Sequence, residues 1–373
     1  MSAAVVALCR AGFEREAAAD LARIARDTSI DPRIAPGRGG GCVVASAPAL
    51  DVRAWRRASL ARPPIFVRSQ FAGSGPHAIA SKDATRPDRI APLVEAFASL
   101  DGAPFRAPWI EYADTNDGKA LSTLARALEA RLAQALRARG LVEEERRPEG
   151  RPTSSLQAHV FLVDGTSAYV GTSDEASGSR WPLGIPRLRL PREAPSRSTL
   201  KLAEAIAVFL GDRESALMHE GQSAIDLGAA PGGWTWQLVE RGLHVTAVDN
   251  GALAPALARH PNVEHVRADG LTWRSRRPVD WLVCDIVEKP SRVAALVADW
   301  IATGAASSAI FNLKLPMKKR DDEVQRAAQA IRERLALANV EATLALRQLY
   351  HDREEVTGHL ARRQSSGRMP RRR

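Results

Sequence analysis

The spacing of apolar and polar residues changes near residue 200. Before it, short β-rich runs alternate with amphipathic ones. Residues 5–10 (VVALCR) predict a strand, 12–27 (GFEREAAADLARIARD) a helix, and 39–47 (GGGCVVASA) a glycine turn into a strand. Residues 51–61 (DVRAWRRASLA) predict a basic helix and 64–72 (PIFVRSQFA) a strand, so this order suggests a small ferredoxin-like sandwich. Further on, 109–115 (WIEYADT) predicts a strand and 119–140 a long helix ended by Gly140. Residues 143–152 (EEERRPEGRP) form a charged loop, and 156–174 a hairpin turning at Asp164-Gly165. This second block carries no cluster of catalytic type, which leaves binding as its task.

After residue 200 strands and helices alternate. Strands are predicted over 223–229, 244–251, 263–270, 279–287, 307–316 and, last, 343–351. Helices are predicted over 200–211, 233–242, 252–260, 291–304 and 321–338. Such alternation implies a mostly parallel, doubly wound α/β sheet, whose ligands bind beyond the carboxyl ends of the strands. Residues 185–202 (IPRLRLPREAPSRSTLKL) connect the halves; three prolines keep the segment extended. From Arg187 to Lys201 it carries five basic residues and one acid.

Composition adds a bias about partners. The 373 residues carry a formal net charge of +10, which favours a polyanion, nucleic acid before membrane. The last 13 residues hold six arginines and no acid, a tail suited to nonspecific phosphate attraction. Cys9, Cys42 and Cys284 stand apart, so no metal or redox CxxC pair exists, and the sparse set fits a reducing cytoplasm. No metal site is expected from the scattered histidines. The N-terminus lacks the features of a signal peptide, and no run is long and apolar enough to predict a membrane span.

The candidate chemistry starts at SAIDLGAAPGGWTW (223–236). The glycines are spaced wrongly for the GxGxxG dinucleotide turn, and Pro231 removes a backbone N–H that a diphosphate would use. A ligand without phosphates tolerates that loss, and S-adenosylmethionine is such a ligand. Asp226 starts this turn, and Asp249, Asp269 and Asp285 stand at the next three strand ends. Asp249 is placed to accept ribose hydroxyl protons and Asp269 to meet the adenine amino group. Ser196 and Ser198 in the connector are candidate cofactor contacts. Gly228, Ala230, Pro231, Gly232, Gly233 and Trp234 form the turn itself.

Together AIDLGAAPGGWTWQL, VTAVDNG, ADG, WLVCDIVEKP and FNLKLPMKKR resemble the RlmM-type ribosomal RNA ribose 2′-O-methyltransferases of the FtsJ-like group. CRAGFEREAAAD, VFLVDG, AYVG and GIPRLRL extend the resemblance across the N-terminal half. It implies a Rossmann-like class I methyltransferase sheet after a ferredoxin-like and THUMP-type α+β RNA-binding region. The implied boundaries are a ferredoxin-like domain over 1–75, a THUMP-like domain over 76–184 and a basic linker over 185–200. The methyltransferase domain follows over 201–360, and the Arg-rich tail over 361–373. The resemblance also implies a catalytic tetrad of Lys201, Asp285, Lys314 and a glutamate, either Glu354 or Glu355, with Glu355 preferred because Val356 follows it.

In that mapping Lys314 accepts the proton of a ribose hydroxyl, while Lys201 and Asp285 orient the hydroxyl and a neighbouring phosphate. A second ammonium and partial burial are expected to lower the lysine pKa. The implied substrate is a cytidine in the peptidyl-transferase region of 23S rRNA, as naked RNA or an early precursor, acted on by a cytoplasmic monomer. Three rivals stand beside this reading: a nucleotide-dependent oxidoreductase, a noncatalytic RNA-binding protein with a relic pocket, and base methylation. The Pro-Cys and Asn/Asp-Pro-Pro-Tyr signatures of base methylation are missing, and Cys284 reads as core.

Overall fold

The structure is a computed structural model describing residues 3–363 except 38, 82, 84, 86 and 144–153. The charged loop and the Arg-rich tail of the sequence reading lie almost wholly outside the described residues. The chain divides into two compact units, Met1–Ile185 and Pro186–Arg373.

The first unit runs β1 (Ala3–Cys9), α1 (Glu14–Arg26), β2 (Arg33–Pro36), β3 (Cys42–Ala47), α2 (Val52–Ala61), β4 (Val67–Ala78) and α3 (Ile90–Ala98). It continues with β5 (Arg106–Tyr112), α4 (Asn116–Lys119), α5 (Ser122–Ala138), β6 (Leu156–Leu162) and β7 (Ser167–Asp174). All seven strands form one sheet, ordered β2-β3-β1-β4-β7-β6-β5. The division expected between residues 75 and 76 falls inside β4, which pairs with β1 on one side and β7 on the other. The long helix expected over 119–140 is α5, starting at Ser122, with the single turn α4 before it, and β2 is an added edge strand. Periodicity sets the inner faces: α1 buries Ala17, Leu21, Ile24 and Ala25. It also buries Asp20, which accepts hydrogen bonds from the backbone N–H groups of Ile65 (2.9 Å) and Phe66 (2.6 Å).

The second unit runs α6 (Thr199–Phe209), α7 (Glu214–Leu217), β8 (Ser223–Leu227), α8 (Gly233–Val239), β9 (His244–Val248), α9 (Pro255–Ala258) and β10 (Val263–Val266). It continues with β11 (Val279–Cys284), α10 (Pro290–Ala302), β12 (Ala306–Lys314), α11 (Arg320–Leu337), β13 (Ala342–Arg347) and β14 (Glu355–Arg362). Its sheet is ordered β10-β9-β8-β11-β12-β14-β13. The first five of these positions are joined in parallel, whereas β14 is antiparallel to both β12 and β13. The order turns back between β8 and β11, and a crevice for ligands opens at such a switch point. α6 and α8 share a core with Ala224, Trp281 and Ile310, while α10 packs on β12 and α11.

β14 was not predicted. The last expected strand, 343–351, ends at Arg347, and the chain returns to place β14 between it and β12. Gly358 allows this, since a Cβ there would lie 2.4 Å from the ring of Phe311 on β12. No helix among the described residues is long and apolar enough to cross a membrane.

Candidate active site

The glycine turn follows β8. Gly228 has φ +80° and Gly232 φ +112°, both in the left-handed region that favours glycine. A Cβ at Gly228 would lie 2.7 Å from Ile286 Cγ1, and one at Gly232 2.4 Å from Leu257 Cδ1. Gly233 begins α8, where a Cβ would lie 2.3 Å from Ser198 Oγ and 2.5 Å from Ser196 Oγ. Those two hydroxyls share a hydrogen bond of 2.7 Å. Asp249, just past β9, accepts from the backbone N–H of Ala230 (3.0 Å) and Gly251 (2.7 Å), so it holds the turn in place. Asp269 accepts from Leu271 N–H at 2.9 Å, and its neighbour Gly270 packs towards Gly228.

Beside this turn lies a cavity of about 690 Å³. Gly228, Ala230, Pro231, Trp234, Ser196 and Ser198 line one part of it, and Lys201, Asp285, Lys314 and Glu355 another. Gly232, Gly233, Asp249 and Asp269 are not among the lining residues. The residues fit S-adenosylmethionine: a side-chain-free backbone turn beside hydroxyls, with a carboxylate at the next strand end. The cavity is also large enough for a nucleoside-sized ligand.

Four elements deliver the charged group. Lys201 comes from α6, Asp285 follows β11, Lys314 ends β12 and Glu355 starts β14. Lys201 Nζ donates to Glu355 Oε1 (2.9 Å) and Oε2 (2.6 Å), with Asp285 Oδ2 at 3.6 Å. Lys314 Nζ donates to Asp285 and lies 3.0 Å from Glu355 Oε2. Glu354, the other candidate, is half exposed and pairs with Arg320 at 2.8 Å. β12 and β14 place Lys314 directly opposite Glu355 in register, which is why Glu355 and not its neighbour meets the lysines.

The lysine electrostatics differ from expectation. Burial acts to lower the Lys314 pKa, but Asp285 and Glu355 outweigh it and hold the ammonium above its ordinary value. Two carboxylates between two ammoniums cancel the repulsion that the sequence reading relied on. Cys284 is fully buried and its thiol is pushed up to about 12, chiefly by burial, so it packs as core and carries no thiolate.

Asp226 is not among the residues that line the cavity. It is fully buried on β8, accepts from Thr235 Oγ1 at 2.7 Å and leaves its other oxygen without a partner among the described residues. Burial, with smaller contributions from Asp285 and Asp249, pushes its carboxyl up to about 7. The native state therefore holds a proton that the unfolded chain has released, and stability declines as pH rises from 3.8 to about 7, by roughly 1.4 kcal/mol per pH unit at most. Asp226→Asn escapes that loss. Relative to wild type, its melting temperature is expected to rise between pH 4 and about 7 and to level off above that; a constant difference across the range would refute the assignment.

Several polar residues at this site went unforeseen. Asn312 on β12 donates to Asp285 Oδ1 (2.9 Å) and Glu355 Oε2 (3.0 Å). Behind it lie Thr357 and Asp352. Glu204 on α6, one turn after Lys201, accepts from the backbone N–H groups of Tyr350 and His351, both at 2.8 Å, and so pins the loop before β14. The available signals were an Asn inside the apolar run IFNL and a Glu inside the mostly apolar helix TLKLAEAIAVF.

Comparison with known proteins gives this geometry a family. A family model described as "FtsJ-like methyltransferase" matches residues 194–348, and one described as "Ribosomal RNA large subunit methyltransferase M, N-terminal" matches residues 88–174. A protein of Methylococcus capsulatus named "Ribosomal RNA large subunit methyltransferase M" is 47% identical over 357 residues, covering 95% of this chain and 97% of that protein. The protein of the same name from Laribacter hongkongensis is 42% identical over 372 residues, covering 99% of each. The chain belongs to the ribosomal RNA large subunit methyltransferase M family and is an S-adenosylmethionine-dependent rRNA methyltransferase with a Rossmann-like catalytic unit.

Proposed function

We propose that the acceptor is a ribose 2′-oxygen, on a cytidine in the peptidyl-transferase region of 23S rRNA. The single observation that carries the choice of oxygen is the convergence of Lys201, Asp285, Lys314 and Glu355 on one cavity wall beside the glycine turn. A ribose hydroxyl is a poor nucleophile, so its proton must leave as the new bond forms. When bound, S-adenosylmethionine supplies an electrophilic methyl on a sulfonium, whose positive charge also lowers the pKa of a neighbouring ammonium.

The tetrad's own residues do the rest. Lys314 takes the hydroxyl proton at Nζ. Asp285 holds Lys314 at the end of β12, and Glu355 holds both lysines. Lys201 and Asp285 orient the hydroxyl and the adjoining phosphate, so that the acceptor oxygen approaches in line. The first unit is the RNA-binding part of this reading. The remaining proposals are a THUMP-like part within that unit, a cytoplasmic monomer, and naked rRNA or an early precursor as substrate.

The test is methyl transfer from labelled S-adenosylmethionine to protein-free large-subunit rRNA, mapped by nuclease digestion and mass spectrometry. Label on a single cytidine ribose is the expected product. Label on a base would keep the family and overturn the choice of oxygen and the role of Lys314.

A further inference from the structure

Behind the tetrad lies a buried polar line that methyl transfer itself does not explain. Asn312, Thr357 and Asp352 are each wholly inaccessible to solvent. Thr357 Oγ1 lies 2.8 Å from Asn312 Oδ1, and 3.1 and 2.8 Å from the two oxygens of Asp352. We infer that Asn312 is a positioning residue for Asp285 and Glu355, and that Thr357 and Asp352 behind it fix which way its amide faces.

Counting protons gives the direction of the line. Asp285 and Glu355 accept from the lysines, so towards Asn312 they are acceptors only. The amide must therefore turn its NH₂ to them, at 2.9 and 3.0 Å. Its oxygen then faces Thr357, and two oxygens at 2.8 Å need a proton between them. Only the threonine hydroxyl has one. That proton is now used, so the contact between Thr357 and Asp352 needs a second, and Asp352 must bring it as a carboxylic acid. Its surroundings agree: burial, with the Glu355 charge adding to it, holds the Asp352 carboxyl well above the ordinary carboxylate range. Asp352 Oδ2 accepts from Leu349 N–H at 3.0 Å, which leaves Oδ1, 3.1 Å from Thr357 Oγ1, to carry the proton. Asp352 thus donates to Thr357, Thr357 donates to Asn312, and Asn312 donates to both tetrad carboxylates.

The alternative amide orientation would aim an oxygen at two carboxylates. A rotated Asn312 would push Asp285 and Glu355 apart and loosen the lysines they hold. Loss of a single hydroxyl at position 357, which does not line the cavity, is therefore expected to act on catalysis.

The experiment uses the full chain, protein-free large-subunit rRNA and labelled S-adenosylmethionine. Thr357→Val keeps the shape of the side chain and removes its proton; kcat is expected to fall about tenfold or more, with KM for S-adenosylmethionine changed by less than about threefold. Thr357→Ser restores the hydroxyl and is expected to bring kcat back to within about threefold of wild type. Asp352→Asn is expected to do the same, because a carboxamide can accept from Leu349 and donate to Thr357. Wild-type kcat in a folded Thr357→Val chain overturns the inference. So does a serine variant as slow as the valine one, which would mean packing alone. If the valine variant does not fold, Asp352→Asn still decides: a tenfold loss in a folded chain overturns the neutral acid. The inference rests on the tetrad carrying the reaction, and Lys314→Ala measured alongside separates the two. An active Lys314→Ala removes the tetrad reading, whereas an inactive one beside a normal Thr357→Val removes only the relay.

Discussion

Lys314→Ala is expected to lower kcat for methyl transfer by about 10³-fold, near the middle of the range for loss of a positioned proton acceptor. The cofactor should still bind within about threefold, since Lys314 belongs to the charged part of the cavity lining and not to the glycine turn. Lys314→Arg is expected to rescue little. It restores the charge between Asp285 and Glu355, but a guanidinium does not give up its proton. The electrostatics add a pH dependence. Because the two carboxylates hold the Lys314 pKa above its ordinary value, the reactive neutral amine is scarce at neutral pH, and wild-type kcat should climb from pH 7 towards pH 9. Steady-state kinetics at saturating cofactor check the three rate predictions, and titration with S-adenosylmethionine checks the binding. A pH-independent kcat, or an arginine variant at wild-type rate, would show that Lys314 acts by charge and not by taking a proton.

The second large effect is at Gly233. A Cβ there would stand 2.3 and 2.5 Å from the Ser198 and Ser196 hydroxyls, which can rotate, and 3.0 Å from the backbone nitrogen of Thr199, which cannot. Gly233→Ala therefore has to move the first turn of α6, and Lys201 sits two residues further along it. Overpacking of this kind costs about 1–3 kcal/mol. Cofactor affinity is expected to drop at least about tenfold, and kcat to fall with it because Lys201 no longer meets Glu355 squarely. Calorimetric titration with S-adenosylmethionine and a thermal melt test this; an alanine variant that binds and melts like wild type would mean that the 196–199 segment yields freely.

The part of this site legible in the sequence is the part built from regular parallel strands. β8, β9, β11 and β12 are predominantly apolar runs, so their ends could be placed from the alternation of strands and helices. Short connections were harder. The helix expected over 252–260 amounts to a single turn, Pro255–Ala258, because Pro255 can only begin it. β14 escaped notice for a different reason. It lies between two strands and is buried, yet its residues Thr357, Gly358 and His359 are not those of an apolar run. Each is explained by its neighbour: Thr357 by Asn312, Gly358 by the Phe311 ring, His359 by rings of Phe209 and Trp281 stacked near it. Such pairwise reasons exist only after folding and leave no period in the chain. The pKa of Lys314 was misjudged similarly, since the sequence named the four charged residues but not their distances.

The position of β14 sets an order on how the catalytic unit comes into being. It is last along the chain and next to last across the sheet, so β12 and β13 cannot be joined until it arrives. Until then both offer unpaired backbone to any strand that comes near. Glu355, the first residue of that strand, is also the link between Lys201 and Lys314. A newly made chain therefore seals its sheet and completes its charged centre in one event.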